Sequence, residues 1–128
     1  MKKLFQIVLV SSLSLLCFSC YYDELIDRPI DIPEIPDLPE NVSFSTQVQP
    51  IFTTNCITCH TSSLNPDLRA GYSYNALVPD YVIAGDPLNS KLFQSLPGIG
   101  HPLNVGFELS DEDVAIIYAW IDQGAENN

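Results

Sequence analysis

Pro29, Pro33, Pro36 and Pro39 punctuate the stretch DRPIDIPEIPDLPE, residues 27–40, and this spacing decides how much of the chain can fold. A proline every three or four residues removes backbone donors and excludes both helix and a sheet ladder. The acids between the prolines repel one another. A semi-stiff, polyproline-like tether or a simple disordered spacer is therefore expected there, either of which would stand the domain off its anchor. At about 3.1 Å per residue, some 22 residues would reach up to roughly 70 Å. Of 128 residues, about 85 remain beyond the tether to build a core. A domain of that size is marginal on burial alone and commonly depends on a covalent staple or a cofactor.

The segment before the tether reads as an export signal. Lys2 and Lys3 give a short positive start, and Leu4 to Leu16 is an apolar run broken only by Gln6 and three serines. The run is short for a membrane span and has the charge layout of a secretion signal. Ser19 precedes Cys20 as a small residue precedes the lipid-bearing cysteine of bacterial lipoproteins. Cys17 and Phe18 depart from that pattern, and Cys17, after Leu15 and Leu16, fits it less well than Cys20. A plain signal cut nearby is the alternative. The expected organisation is a lipoprotein-type signal over 1–19, a lipidated acidic Pro-rich linker over 20–42 and a folded domain over 43–128. After Cys20 the chain runs YYDELID, resembling the acidic start of surface lipoproteins in Bacteroidetes-like bacteria. That points to the cell envelope, at the outer membrane, with the membrane engaged through the lipid.

The formal net charge is −11, and without Lys2 and Lys3 the balance becomes 16 acids against 3 bases, about −13. Nucleic acid is excluded as a partner of so acidic a domain, and a protein partner with a basic face is favoured.

Within the domain, Phe44, Val48, Ile51 and Phe52 recur at helical spacing, with Pro50 inside them. The helix should either kink there or start there. A short helix is expected around Tyr72 to Leu77. Asp86-Pro87 has the form of an N-cap with proline in the first turn, leading into LNSKLFQSL, and Pro97-Gly98-Ile99-Gly100 should end that helix. The last element is the clearest. Ser110 with Asp113 approximates a capping box, three acids occupy the positive helix end, and Val114, Ile117, Tyr118 and Ile121 share a face that Ile116 and Trp120 widen. Gly124 supplies the stop. No useful period-two stretch occurs, so the domain is expected to be all-α.

Cys56-Ile57-Thr58-Cys59-His60 is a Cys-x-x-Cys-His element. Two thiols three positions apart can each add to one haem vinyl group, and the next residue then offers imidazole to the iron. This attachment takes place outside the cytoplasm, in agreement with the export signal. Three other uses of the pair exist: a thioredoxin-like redox pair, which lacks its βαβ context here; half a zinc site, whose usual spacings do not extend to His101; and a structural disulfide. The count of cysteines favours haem, since Cys17 leaves with the signal, Cys20 takes lipid, and Cys56 and Cys59 take one haem c.

FSTQVQPIFTTNCITCH (44–60), GDPLNSKLF (85–93) and LSDEDVAIIYAWIDQGA (109–125) together resemble the class I cytochrome c-like domains of exported bacterial proteins. The resemblance implies a small helical bundle around one covalent haem, with the first and last helices crossing and Phe52 packing near Tyr118 or Trp120. It implies one-electron transfer and no substrate turnover.

The family places a methionine before the last helix as second iron ligand, and this chain has none after Met1. Gly98-Ile99-Gly100-His101-Pro102 stands there instead. His101 is the only histidine besides His60, which makes it the expected distal ligand. The alternative is that His101 bonds a propionate or a loop carbonyl, leaving the iron five-coordinate or bound by Lys91 or water. Two other functions stay open on these residues: a haem-based module that binds or senses a small molecule, and a haem-free surface lipoprotein with a structural Cys pair.

Overall fold

The computed structural model describes residues 38–128. The signal, Cys20 and most of the Pro-rich linker lie outside the described residues. Helices and turns make up the described part, with no strand in it, in agreement with the all-α expectation. None of its helices is long and apolar enough to cross a membrane.

The first helical segment opens with a π-helical turn, Phe44–Val48, and runs on as α1, Gln49–Asn55. Pro50 lies in the first turn of α1, where it has no N–H to give; the wider turn just before it absorbs the mismatch. Ser43 caps the segment: its hydroxyl accepts from Thr46 N at 3.4 Å, and Gln47 Oε1 accepts from Ser43 N at 2.9 Å. Two short helices follow, α2 (Ser73–Leu77) and α3 (Lys91–Gln94), and then the long α4 (Asp111–Asp122).

The chain departs from expectation before α3. Asp86-Pro87 starts a turn rather than a helix. The Asp86 carboxylate accepts from Asn89 Nδ2 at 2.7 Å, and its carbonyl accepts from the buried Ser90 hydroxyl at 2.8 Å. Ser90 Oγ also accepts from Ile83 N at 2.8 Å. These bonds fold 83–90 back on itself, so the helix starts only at Lys91. By contrast α4 follows its sequence closely. The Ser110 hydroxyl accepts from Asp113 N at 3.1 Å, and Gly124 takes the left-handed φ of 104° that ends the helix.

Val48, Phe52, Leu77, Val82, Phe93, Ile117, Trp120 and Ile121 are essentially fully buried, each large side chain contributing roughly 1.5–3 kcal/mol by leaving water. The chain thus fills a core with its own side chains, and the shortage suggested by its length is smaller than expected. Phe44 joins the first and last helical segments, its ring 5.1 Å from Trp120 and 6.4 Å from Phe52. Phe52 and Trp120 share one buried core, against which Tyr118 packs while its ring pairs with Phe93 at 5.4 Å. Val42 is buried too, and its N–H donates to Gln123 Oε1 at 2.8 Å.

Candidate functional site

Cys56, Cys59 and His60 share one helix-like turn at the end of α1. Cys56 N donates to Phe52 O, and both Cys59 N and His60 N donate to Cys56 O, at 2.9, 3.1 and 2.9 Å. Neither thiol is in a disulfide. Cys59 is exposed, and Cys56 is half-buried with its thiol pushed up to about 11. Burial is the main cause, and the negative charge of Asp113 adds to it.

The His60 ring is fixed from its Nδ1 side. The Pro66 carbonyl lies 3.1 Å from Nδ1 and can only accept, so Nδ1 carries the proton. In the neutral ring Nε2 then keeps its lone pair, the arrangement found in most metal-ligating histidines. The loop that brings Pro66 round is closed by Leu68 N donating to His60 O at 3.1 Å. At its far end, Asp67 and Arg69 form a 2.7 Å ion pair that holds the Asp67 carboxyl below its usual range, chiefly through the Arg69 hydrogen bond.

His101 is brought to His60 although the two stand far apart in the chain: their ring centres are 6.4 Å apart, with the ring planes at 88°. Its loop follows the Pro97–Gly100 turn. Gly100 is required there, because a Cβ at that position would collide with the Gln94 carbonyl. His101 Nδ1 has two competing contacts, Leu103 O at 2.8 Å and Leu103 N at 3.3 Å. One nitrogen cannot donate and accept along the same axis, and the shorter contact favours donation to the carbonyl, again leaving Nε2 with its lone pair. Lys91, the other candidate ligand, holds its ammonium 5.9 Å over the Tyr81 ring.

The two segments that carry the pair hold few charges, although Asp113 lies close enough to Cys56 to act on its thiol and Glu108 lies beside the His101 loop. Residues 41–66 and 92–107 contain no Asp, Glu, Lys or Arg in a chain of net charge −11. Leu64, Leu103, Val105 and Phe107 are exposed large apolar side chains on these two segments. Residues 97–101 and 103–108 also line a cleft of about 520 Å³ that includes His101 and Glu108.

Four sequence-marked residues, Cys56, Cys59, His60 and His101, thus come to one end of the domain, while Cys20 lies outside the described residues. The Pro66 and Leu103 carbonyls and the loop closure behind His60 were not visible in the sequence, since a backbone acceptor leaves no side-chain signature. The described residues form a strand-free helical domain with two thiols and two imidazoles at one end, the His60 ring held in one tautomer by the Pro66 carbonyl. No known protein family, no curated protein and no solved structure matches the chain.

Proposed function

We propose that this chain is a monohaem c-type electron carrier of the class I cytochrome c-like kind. Cys56 and Cys59 would hold one haem c covalently, with His60 and His101 as the two iron ligands. The observation that carries this reading is the approach of the two histidines. The two ring centres lie 6.4 Å apart, near enough for His60 and His101 both to hold one haem iron. Only two protein ligands are needed, because the porphyrin supplies the other four.

The bound group would supply reversible one-electron chemistry. The chain's own part is to orient and to exclude. The Pro66 carbonyl holds the His60 proton on Nδ1 and makes its Nε2 a stronger donor. Two imidazole ligands would keep the coordination the same in both oxidation states, so that the redox change would need little rearrangement. The exposed apolar side chains of Leu64, Leu103, Val105 and Phe107 would give the haem apolar cover and limit water at the iron. Histidine in place of methionine favours a low potential.

The carrier would work at the cell envelope as an exported lipoprotein anchored by Cys20 in the outer membrane, and it would not be an enzyme. Its excess of acids would steer a basic redox partner from a distance, while the contact itself falls on the uncharged segments around the histidines. The exposed, locally held loop of His101 favours one second reading, a haem-based small-ligand sensor whose distal ligand comes off.

The absorption spectrum of the full-length protein, matured with haem-attachment machinery, tests these readings. Six-coordinate low-spin iron in both oxidation states is the expected result. Five-coordinate high-spin iron would favour the sensor, and a protein without haem would overturn both.

A further inference from the structure

The loop that carries the Pro66 carbonyl is held from behind by a buried side chain. Gln49, in the first turn of α1, is one of three buried polar side chains among the described residues, with Ser73 and Ser90. Its Nε2 donates to the Leu68 carbonyl at 3.1 Å and to Thr53 Oγ1 at 3.2 Å. Its Oε1 accepts from the hydroxyl of Ser73. The amide thus uses both of its donors and accepts one hydrogen bond, and every partner except Thr53 belongs to the stretch running from His60 into α2.

That stretch is the one that grips His60. Leu68 turns its N–H to the His60 carbonyl, and Pro66 turns its carbonyl to the His60 ring. Gln49 neighbours Val48, Ile51 and Phe52, all buried, where an apolar side chain would fill the space without any bonds to satisfy. A buried polar network whose donors are all used specifies one arrangement of the groups it joins. Here those groups are the helix leading into Cys56 and the loop carrying the Pro66 acceptor.

We infer that Gln49 is a positioning residue for His60: through the Leu68 carbonyl and the Ser73 hydroxyl it fixes the Pro66 carbonyl against His60 Nδ1. The consequence for the iron rests on the haem reading. A firmly held Nδ1 proton makes the ring a stronger donor and favours ferric iron, so loosening the network moves the couple toward ferrous.

The test uses the haem-loaded full-length chain and two readouts, the solvent exchange of the His60 Nδ1 proton by NMR and the ferrous fraction at a fixed ambient potential. Gln49→Met keeps the volume and removes the bonds. It should speed exchange about tenfold and raise the ferrous/ferric ratio about threefold, with Ser73→Ala moving both the same way by less. Ser73→Ala also serves alone if Gln49→Met does not fold. Ser90→Ala, which cuts a buried hydroxyl from the 83–90 turn, should lower the melting temperature and leave both readouts unchanged. Wild-type exchange and wild-type ratio in both Gln49→Met and Ser73→Ala would overturn the inference and leave Gln49 a packing residue. If the wild-type chain takes up no haem, the functional reading fails separately. The His60 proton of the unloaded chain then still decides the positioning, and exchange unchanged by Gln49→Met overturns it.

Discussion

Around His60 the backbone is closed by hydrogen bonds that reach across the fold, from Leu68 to His60, from Pro66 to the ring and from Gln49 to Leu68. Around His101 the ring bonds only to Leu103, two residues on, and residues 102–108 are all exposed. One imidazole sits on a braced loop and the other on a strap held at its ends. Regions with few buried contacts and local bonds occupy the low-stability end of a structure. On the proposed haem reading, the comparison teaches that the His60 side would set how the iron is held, while the His101 side would set whether its sixth position stays closed.

The largest effect should come from the braced side. Cys56→Ser with Cys59→Ser removes both attachment points and should abolish all haem that survives denaturing electrophoresis, read by haem peroxidase staining. Covalent haem persisting in that variant would break the assignment of the two thiols.

Next comes the strap. His101→Ala should convert low-spin iron to high-spin and admit carbon monoxide readily, while haem stays attached through the untouched thioethers. His101→Met should raise the potential, because thioether sulfur favours ferrous iron relative to imidazole. A low-spin spectrum unchanged in His101→Ala would remove His101 from the site and make Lys91 the next ligand to test.

Gly100→Ala should act in between. Its methyl would collide with the Gln94 carbonyl, so the turn must shift at a cost of about 1–3 kcal/mol. His101 would be carried off its position, giving a mixture of high- and low-spin iron. Chemical denaturation measures the first effect and the absorption spectrum the second; a fully low-spin variant would show that the strap tolerates displacement.

The smallest effect concerns the thiols of the unloaded chain. Cys59 is exposed, whereas Cys56 is half-buried with its thiol pushed up to about 11. Only thiolate is alkylated, so Cys59 should label first near pH 8 and Cys56 should speed up about tenfold per pH unit until about pH 11. The folded chain holds the Cys56 proton more firmly than an unfolded chain does, with an ordinary value of 9.0. Its contribution to stability is therefore complete below pH 9 and fades as the pH climbs through about 11. Equal labelling rates by peptide mass mapping would contradict the difference in burial.

Much of this contrast was legible in the residues, and the illegible part has physical causes. Helix α4 could be read because period, cap and stop agree over Ser110 to Gly124. The short helix before it could not, because Asp86 and Pro87 suit a turn as well as a cap, and the buried Ser90 hydroxyl decides for the turn. His60 and His101 were marked by residue type, yet the 6.4 Å between their rings depends on the Gly100 turn. Gln49 left a faint trace as the one long polar side chain between Val48 and Phe52, but its partners are distant in sequence. The expected signal and lipid anchor, and most of the expected tether, fall on residues outside the described part.

The central claim is that Cys56, Cys59 and His60 hold one haem. Mass spectrometry of the peptide spanning Cys56 to His60, cut from the protein matured with haem-attachment machinery, tests it most directly. The account predicts a mass increased by one haem, joined to both cysteine sulfurs. A peptide with two free thiols, or with a Cys56–Cys59 disulfide and no haem, would contradict it.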